Sequence, residues 1–478
     1  MARRLEALVA ATAVLALAGL AVVAGLRLPH PFELEWQEGG VLEHVLRLRA
    51  GEPVYAEPRL DFVAFPYPPG FALAGAAAVT LLGAGLPALR ALSLGAALAA
   101  CAALFVLARA GGSRRAGIVC AGAFAASYPF AGSWFDLARV DALFVALSLW
   151  AYVLLERRRG VGPALAAGGV FFLAGFVKQA AWPIGIALLP ALAMRRRAEA
   201  LALGAALVGP VLASTLALDR ITDGWYRWYV FELLAGHPFV RSMWAGFWIE
   251  SARVLAVPVL LVVAVSPRRA GVGALRGSFA LALLGSSWVA RAHEGGFANT
   301  LMPACAAASL VLAGAFHGAR ALPGGRRTAA ALLALGHFAL LAPAWNARLV
   351  PSADDRAAGE GLVAELAAVE GEVFVPYHPH LARRAGKRPG VHAMAVVDLL
   401  KSRERDVAGR FVAELRDALE ARRWAVIVLD DRSWEEDLPE LGASYRVERE
   451  LFRGEPPERF VPVTGAPWRP RYWYVPRE

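Results

Sequence analysis

The apolar stretches of this chain are separated by breaks of alternating character, one rich in arginine and the next acidic or nearly uncharged. Arg3 and Arg4, Arg109 with Arg114 and Arg115, Arg157 to Arg159, Arg195 to Arg197, Arg268 and Arg269, and Arg320 with Arg326 and Arg327 occupy every second break. The first break of the other set, PHPFELEWQEGGVLEH, holds Glu33, Glu35, Glu38 and Glu43. Short loops rich in Lys and Arg stay on the cytoplasmic side of a bilayer. The alternation therefore predicts an all-α polytopic membrane protein with its N-terminus inside, and it decides which residues can share a site.

Composition agrees: 58% of the 478 residues are hydrophobic and the mean hydropathy is +0.47. The net charge of +10 would suggest nucleic acid in a soluble protein. Here the surplus arginine lies in short loops beside apolar spans, so the expected partner is the lipid bilayer and not nucleic acid. The first apolar run, about 20 residues long, has the length of a span and not of a signal-peptide core. Cys101, Cys120 and Cys305 fall inside apolar stretches without paired spacing, which points to neither a disulfide framework nor a zinc site.

Hydropathy predicts helices near residues 5–28, 88–109, 116–133, 140–156, 162–177, 180–194, 199–218, 250–266, 277–292, 297–318 and 328–347, about eleven spans. A crossing by Phe71 to Leu86 would move every later arginine loop to the acidic side, so this segment is expected to lie along the interface after the YPPG turn. Residues 1–349 thus form the membrane domain, with a first outer loop over 29–87. Residues 350–478 are charge-rich, with strand-like Val373–Tyr377 and Trp424–Leu429 and a helical pattern over Asp406–Arg422. They are expected to form a soluble extracytoplasmic α/β domain.

The outer face then gathers Glu33, Glu35, Glu38, Asp61, Asp136, Arg139, Asp141, Lys178, the loop from Asp219 to Ile249, Arg291, His293 and Glu294. Lys178 with Gln179 is the polar break in GGVFFLAGFVKQAAWPIGIALLPAL, and Arg139 with Asp141 opens the fourth span. Charges near hydrocarbon are costly and commonly functional, although Lys178 could instead snorkel to headgroups and Arg139 could pair with Asp136 or Asp141. Glu35 and Glu38, three apart, share a helix face and suit a base beside a positioning carboxylate. The aromatic run Trp225, Tyr226, Trp228, Tyr229, Trp244 and Trp248 fits an interfacial belt, or else a groove wall. His378, His380 and His392 read as ordinary surface residues. There is no GxxxxGK[ST] loop and no HExxH, and no Asp-x-Asp pair sits in a loop suited to a metal-bound nucleotide-sugar.

Taken in order, ELEWQEGGVLEHVLRLRAGEPVY, DFVAFPYPPGFALA, LRALSLGAALAACAALFVLARAGGSRRAG, FDLARVDAL, FFLAGFVKQAAWPIGIALLPAL and HEGGFANTLMPACAAASLVLAG resemble the GT-C membrane glycosyltransferases, over about residues 30 to 315. That group includes protein O-mannosyltransferases and the aminoarabinose transferase of lipid A. The resemblance implies an enzyme of the bacterial inner membrane. It would move a hexosyl or pentosyl group, with inversion, from a polyprenyl phosphate to a hydroxyl on a glycan, lipid or protein acceptor. It also implies a first-loop base at Glu35 or Glu38, with Asp136 or Asp141 assisting. The family commonly has adjacent Asp-Glu, where this chain has Gln37 before Glu38. Arg139, Lys178, Arg291 and His293 are the implied donor-phosphate contacts, and Tyr67, Gln179, Glu294 and Asn299 the implied substrate contacts. No cofactor is implied beyond a divalent cation, which the resemblance leaves open. The C-terminal AGKRPGVHAMAVVDLL is similar to outer domains of some bacterial members, without an associated chemistry. The alternative is a multi-pass lipid or sugar transporter, which would need ionisable groups near mid-membrane and paired half-helices.

Overall fold

The computed structural model describes every residue except 110–112, 267–270 and 272, so Arg268 and Arg269 lie outside the described residues. The chain begins with α1 (Ala2–Arg27), followed in the first loop by α2 (Glu38–Ala50) and α3 (Gly70–Leu82). Then come α4 (Leu86–Ala108), α5 (Arg114–Ala126), α6 (Asp141–Arg157), α7 (Val161–Val177), the short pair α8 (Ala181–Ile186) and α9 (Leu189–Ala193), and α10 (Arg197–Ile221). Two short turns, α11 (Trp225–Arg227) and α12 (Leu233–Ala235), flank a π-helical stretch before α13 (Arg241–Val265), α14 (Ala274–Ala292), α15 (Met302–Gly318) and α16 (Gly324–Leu341). Among the described residues six helices are long and apolar enough to cross a membrane: α1, α4, α10, α13, α15 with its flanking turns, and α16. The other expected spans correspond to α5, α6, α7, α8 with α9, and α14, which are shorter or less apolar.

Several boundaries differ from expectation for local reasons. The helix expected over 116–133 stops at Ala126, and further on Gly132 and Ser133, at φ of 69° and 60°, keep the chain from resuming it before 133. The segment 180–194 breaks at Ala187 and Leu188, with Pro190 opening α9. Helix α13 starts at Arg241, nine residues before the expected 250, so Trp244 and Trp248 stand partly exposed on a helix while Tyr226, Trp228 and Tyr229 are buried. The 13 residues of α3 span about 20 Å at ~1.5 Å per residue, short of a ~30 Å hydrocarbon core. Leu73, Leu81 and Leu82 on α3 are exposed.

Contacts sort the helix ends into two sets. At one end Glu6 of α1, itself buried, takes Arg327 of α16 (2.8 Å) and Arg115 of α5 (3.7 Å). There Arg276 of α14 binds Glu156 of α6 (2.9 Å) and the carbonyl of Leu107 in α4 (3.2 Å). At the opposite end Arg27 of α1 meets Asp136, Arg90 of α4 meets Glu38, and Lys178 after α7 meets Asp141 at the start of α6. Close helix approach makes this bundle possible: a Cβ on Gly122 of α5 would stand 2.4 Å from that of Ala13 in α1.

The C-terminal part contains α17 (Ala353–Ala368), β1 (Val373–Phe374), α18 (Pro379–Arg384), α19 (Ala393–Leu400), α20 (Arg405–Glu420), β2 (Val426–Leu429), α21 (Ser433–Asp437), α22 (Pro439–Ser444), β3 (Tyr445–Glu450) and β4 (Tyr472–Pro476). The sheet order is β1-β2-β4-β3, with β1 and β2 parallel and the other pairs antiparallel. The strand expected to reach Tyr377 ends early, where Pro376 has no N–H to donate.

Its core is closed by a residue from the first loop, Phe32, packed with Leu362, Leu366 and Val373. The histidines expected at the surface are buried instead, because the first loop covers them. His378 donates Nδ1–H to Glu33 (2.5 Å) and Nε2–H to Asp430 (2.9 Å). His392 accepts the Met394 N–H at Nδ1 (3.0 Å), so its neutral ring donates Nε2–H to the Trp36 carbonyl (3.0 Å). Bidentate Arg383–Glu43 and single Arg388–Asp61 and Arg410–Glu57 contacts complete the junction.

Burial opposes a charged His378, but Asp430 and Glu33 outweigh it and raise the imidazole to about 10. A raised value means that the stabilisation is complete below the unfolded value of about 6.5 and is lost as pH climbs toward 10. Thermal unfolding of the detergent-solubilised protein should therefore fall between pH 6.5 and 10, and His378→Gln should remove most of that dependence; an unchanged slope in the variant would refute it.

Candidate functional site

The first loop is held by two enclosed ion-pair networks. Arg90 binds both oxygens of Glu38 (2.9 and 2.6 Å) and donates to the carbonyls of His30 (2.5 Å) and Phe32 (2.6 Å). Glu38 also accepts the N–H of Leu34 (2.7 Å) and of Ala138 (2.8 Å). Burial works against its charge, yet Arg90 and these donors hold the carboxyl below its ordinary range. Asp136 is likewise enclosed, between Arg27 (3.1 Å) and the hydroxyl of Tyr128 (2.9 Å).

Beside these networks lies a cavity of about 740 Å³, within the range of small-molecule sites. Its apolar lining is drawn from α8, α14 and neighbouring loops, including Phe65, Pro183, Ala187, Phe231, Gly285 and Val289. Its polar and aromatic lining includes Gln37, Tyr67, Trp134, Arg139, Lys178, Gln179, His237, His293, Glu294 and Asn299, and the C-terminal part adds Met394 and Asp398.

Arg139 donates to the Gln37 amide oxygen (2.6 Å), with its guanidinium carbon 5.2 Å from the centre of the Trp134 ring and 5.9 Å from that of Tyr67. Lys178 donates to Asp141 (2.6 Å), which also accepts from Asn299 (3.1 Å). Its nitrogen stands 6.0 Å from the Tyr67 ring centre, so the two cations flank one tyrosine. Trp134 Nε1, Arg139 Nε, Asp141 Oδ2, Gln179 Oε1 and His237 Nε2 are buried without a hydrogen-bond partner among the described residues.

ArnT from Cupriavidus metallidurans has a similar structure over nearly the whole length of both chains. The form bound to undecaprenyl phosphate superposes with a TM-score of 0.58 and the apo form with 0.60, each at 12% identity, covering 96% of this chain and 97% of that one. The two proteins share a fold. An Archaeoglobus fulgidus oligosaccharyltransferase in complex with zinc and sulfate also resembles it, with a TM-score of 0.50 and 12% identity over 90% of this chain and 71% of that one. No protein-family model and no curated protein matches the sequence.

Within this fold, Tyr67, Arg139, Lys178, Gln179, His293, Glu294 and Asn299 all line the cavity, as one group, and Asp141 joins them through Lys178 and Asn299. Arg291 turns away, binding Glu250 (2.8 Å) and the Gly296 carbonyl (2.6 Å). Glu35, Glu38 and Asp136 do not line it. Glu35 is buried between the Gln37 N–H (3.2 Å), Arg139 (3.9 Å) and Gly465, where a Cβ would come within 2.8 Å of the Glu35 side chain. Burial pushes its carboxyl up to about 8, with Arg139 opposing.

Sequence reasoning did not single out Gln37, Trp134, His237 and Asp398 as cavity residues, although Gln37 stood out as a departure from the family's acidic pair and His237 lies in the gathered loop from Asp219 to Ile249. No group of three or more His, Cys, Asp or Glu side chains that could hold a metal ion occurs among the described residues.

These environments predict opposite responses to one chemical change. Glu38→Gln leaves the buried Arg90 without its counter-charge and should cost on the order of 3–5 kcal/mol. Glu35→Gln resembles the protonated carboxyl already favoured at pH 7 and should leave thermal unfolding nearly unchanged. Equal losses in the two variants would contradict this division.

Proposed function

We propose that the protein is an integral membrane glycosyltransferase of GT-C type. It moves a sugar from a polyprenyl-phosphate donor to an acceptor hydroxyl at the outer face of the bacterial inner membrane, with the C-terminal domain on that face. The observation that carries this reading is the cavity itself, whose lining combines many apolar residues with two cations near aromatic rings. A polyprenyl phosphate has that same division, a hydrocarbon chain ending in a phosphate. Undecaprenyl phosphate bound to the structurally similar ArnT supports the donor class.

The chemistry asked of the protein is modest, because the donor already carries its activation. Lys178 and Arg139 stabilise the phosphate as it departs, more strongly in a water-poor cleft than they would in bulk water. Tyr67 separates the two cations, and Gln179, Asn299, His293 and Glu294 offer polar contacts to sugar or acceptor. Glu38 and Asp136 act by holding the loops, and Arg291 by holding the turn after α14. A transporter would leave its lipid-linked sugar chemically intact, and the charges here gather at one end of the bundle and not midway along it.

Membranes containing the protein, supplied with undecaprenyl-phosphate sugars, should release undecaprenyl phosphate, and a deletion strain should lose a sugar from an envelope glycan by mass spectrometry. Intact donor in the first assay would exclude the reading. Lys178→Ala and Arg139→Gln should each weaken undecaprenyl phosphate binding by roughly 10- to 100-fold, from about 1.5–3 kcal/mol per charge-assisted hydrogen bond. Binding at wild-type affinity in both variants would remove the phosphate from this end of the cavity.

A further inference from the structure

The reaction proposed above needs a group to take the acceptor's proton, and most of the acids near the cavity are already committed. Gln37, which holds the first-loop position against Arg139, cannot serve as a carboxylate base. Glu38 and Asp136 are enclosed by arginines, and Glu35 lies outside the cavity lining. Asp141 is tied to Lys178 and Asn299, on the phosphate side. Glu294 is 35% exposed and paired with Lys401 (3.2 Å).

Asp398 differs from all of these. It lies on α19, four residues after Met394, so both project from one helical face, and both line the cavity. It is 4% exposed, and no side-chain hydrogen bond reaches its carboxylate from the described residues. The nearest ionisable partner is His237, whose unpartnered Nε2 stands 3.6 Å from Oδ1. Its position is fixed at both ends of α19. His392 bolts the start to the Trp36 carbonyl, and Gly236 is so close to the far end that a Cβ there would stand 3.0 Å from the Lys401 carbonyl.

We propose that Asp398 is the catalytic base, so that the C-terminal domain contributes a residue to the same cavity that Lys178 and Arg139 line. This rests on the glycosyltransferase reading. The acceptor hydroxyl gives its proton to the Asp398 carboxylate while its oxygen bonds to the anomeric carbon. The bond from that carbon to the phosphate oxygen breaks, and its electron pair leaves on the polyprenyl phosphate beside Lys178 and Arg139. His237, His293, Glu294, Lys401 and Arg139 are the charged or titratable groups around the carboxylate. Burial pushes the carboxyl up to about 7, against the pull of Lys401 and Arg139, which suits a base working near neutral pH.

The test uses full-length protein in membranes, with release of undecaprenyl phosphate from undecaprenyl-phosphate sugars as the readout. Asp398→Asn should lower kcat by about 10²- to 10⁴-fold, leave undecaprenyl phosphate binding unchanged, and abolish the rise of activity through about pH 7; Asp398→Glu should restore part of the rate. Full activity with an unchanged pH profile in Asp398→Asn would overturn the assignment while leaving the glycosyltransferase reading intact. Loss of lipid binding along with the rate would make Asp398 a structural residue and overturn it as well. Wild-type protein that neither binds undecaprenyl phosphate nor releases it would remove the parent reading.

Discussion

Arg90 holds together three pieces of chain that would otherwise be independent. It lies fully buried in the first turns of α4 and spends its donors on Glu38 and on the carbonyls of His30 and Phe32. Glu38 in turn captures the backbone of Ala138, in the loop between α5 and α6. An ion pair so deeply buried recovers its desolvation cost only when every donor and acceptor is met, and here the backbone supplies the missing partners. The consequence is positional. Gln37 and Arg139 are chain neighbours of Glu38 and Ala138, so the pair that fixes the loops also sets one wall of the cavity.

The charges at this end of the bundle fall into two populations. Arg27, Arg90, Glu38 and Asp136 pair with one another and do not line the cavity. Arg139, Lys178 and Gln179 each make one or more protein contacts and also line the cavity, and Asp141 joins them through Lys178 and Asn299. Had all these charges been paired with one another, the cavity would be electrostatically inert. Had none been paired, the loops would not hold. Aromatic rings help to keep the second population apart, since Tyr67 and Trp134 lower the cost of a cation without neutralising it.

How much of this was legible in the sequence varied with the range of the interaction. The arginine breaks and hydrophobic runs located nearly every bundle helix, because lipid solvation acts residue by residue. Lys178 was legible for the same reason: a cation amid so many apolar neighbours has a cost that composition alone exposes. The early end of α5 was written in Ser127, Pro129 and Gly132 but drowned by the average hydropathy around them. The histidines were misread because burial at a junction depends on which surface arrives to cover them, and for His378 that surface lies 345 residues away. Asp398 carried no signal for a related reason. On its own short helix it is one acid among apolar residues, and its surroundings come from residues such as His237 and Arg139, far off in the chain.

The same long-range geometry makes the C-terminal part more than an appendage. Phe32 fills its core, Glu33 pairs with its His378, and Trp36 accepts a hydrogen bond from its His392. These three residues lie within a single stretch of the first loop that also contains Glu35, Gln37 and Glu38. A displacement of the C-terminal part would therefore pull directly on the loop that positions Arg139 through Gln37, and it would carry Met394 and Asp398 away from the cavity at the same time. Electrostatics and packing act on one short segment here, so the shape of the cavity and the docking of the C-terminal part cannot vary independently.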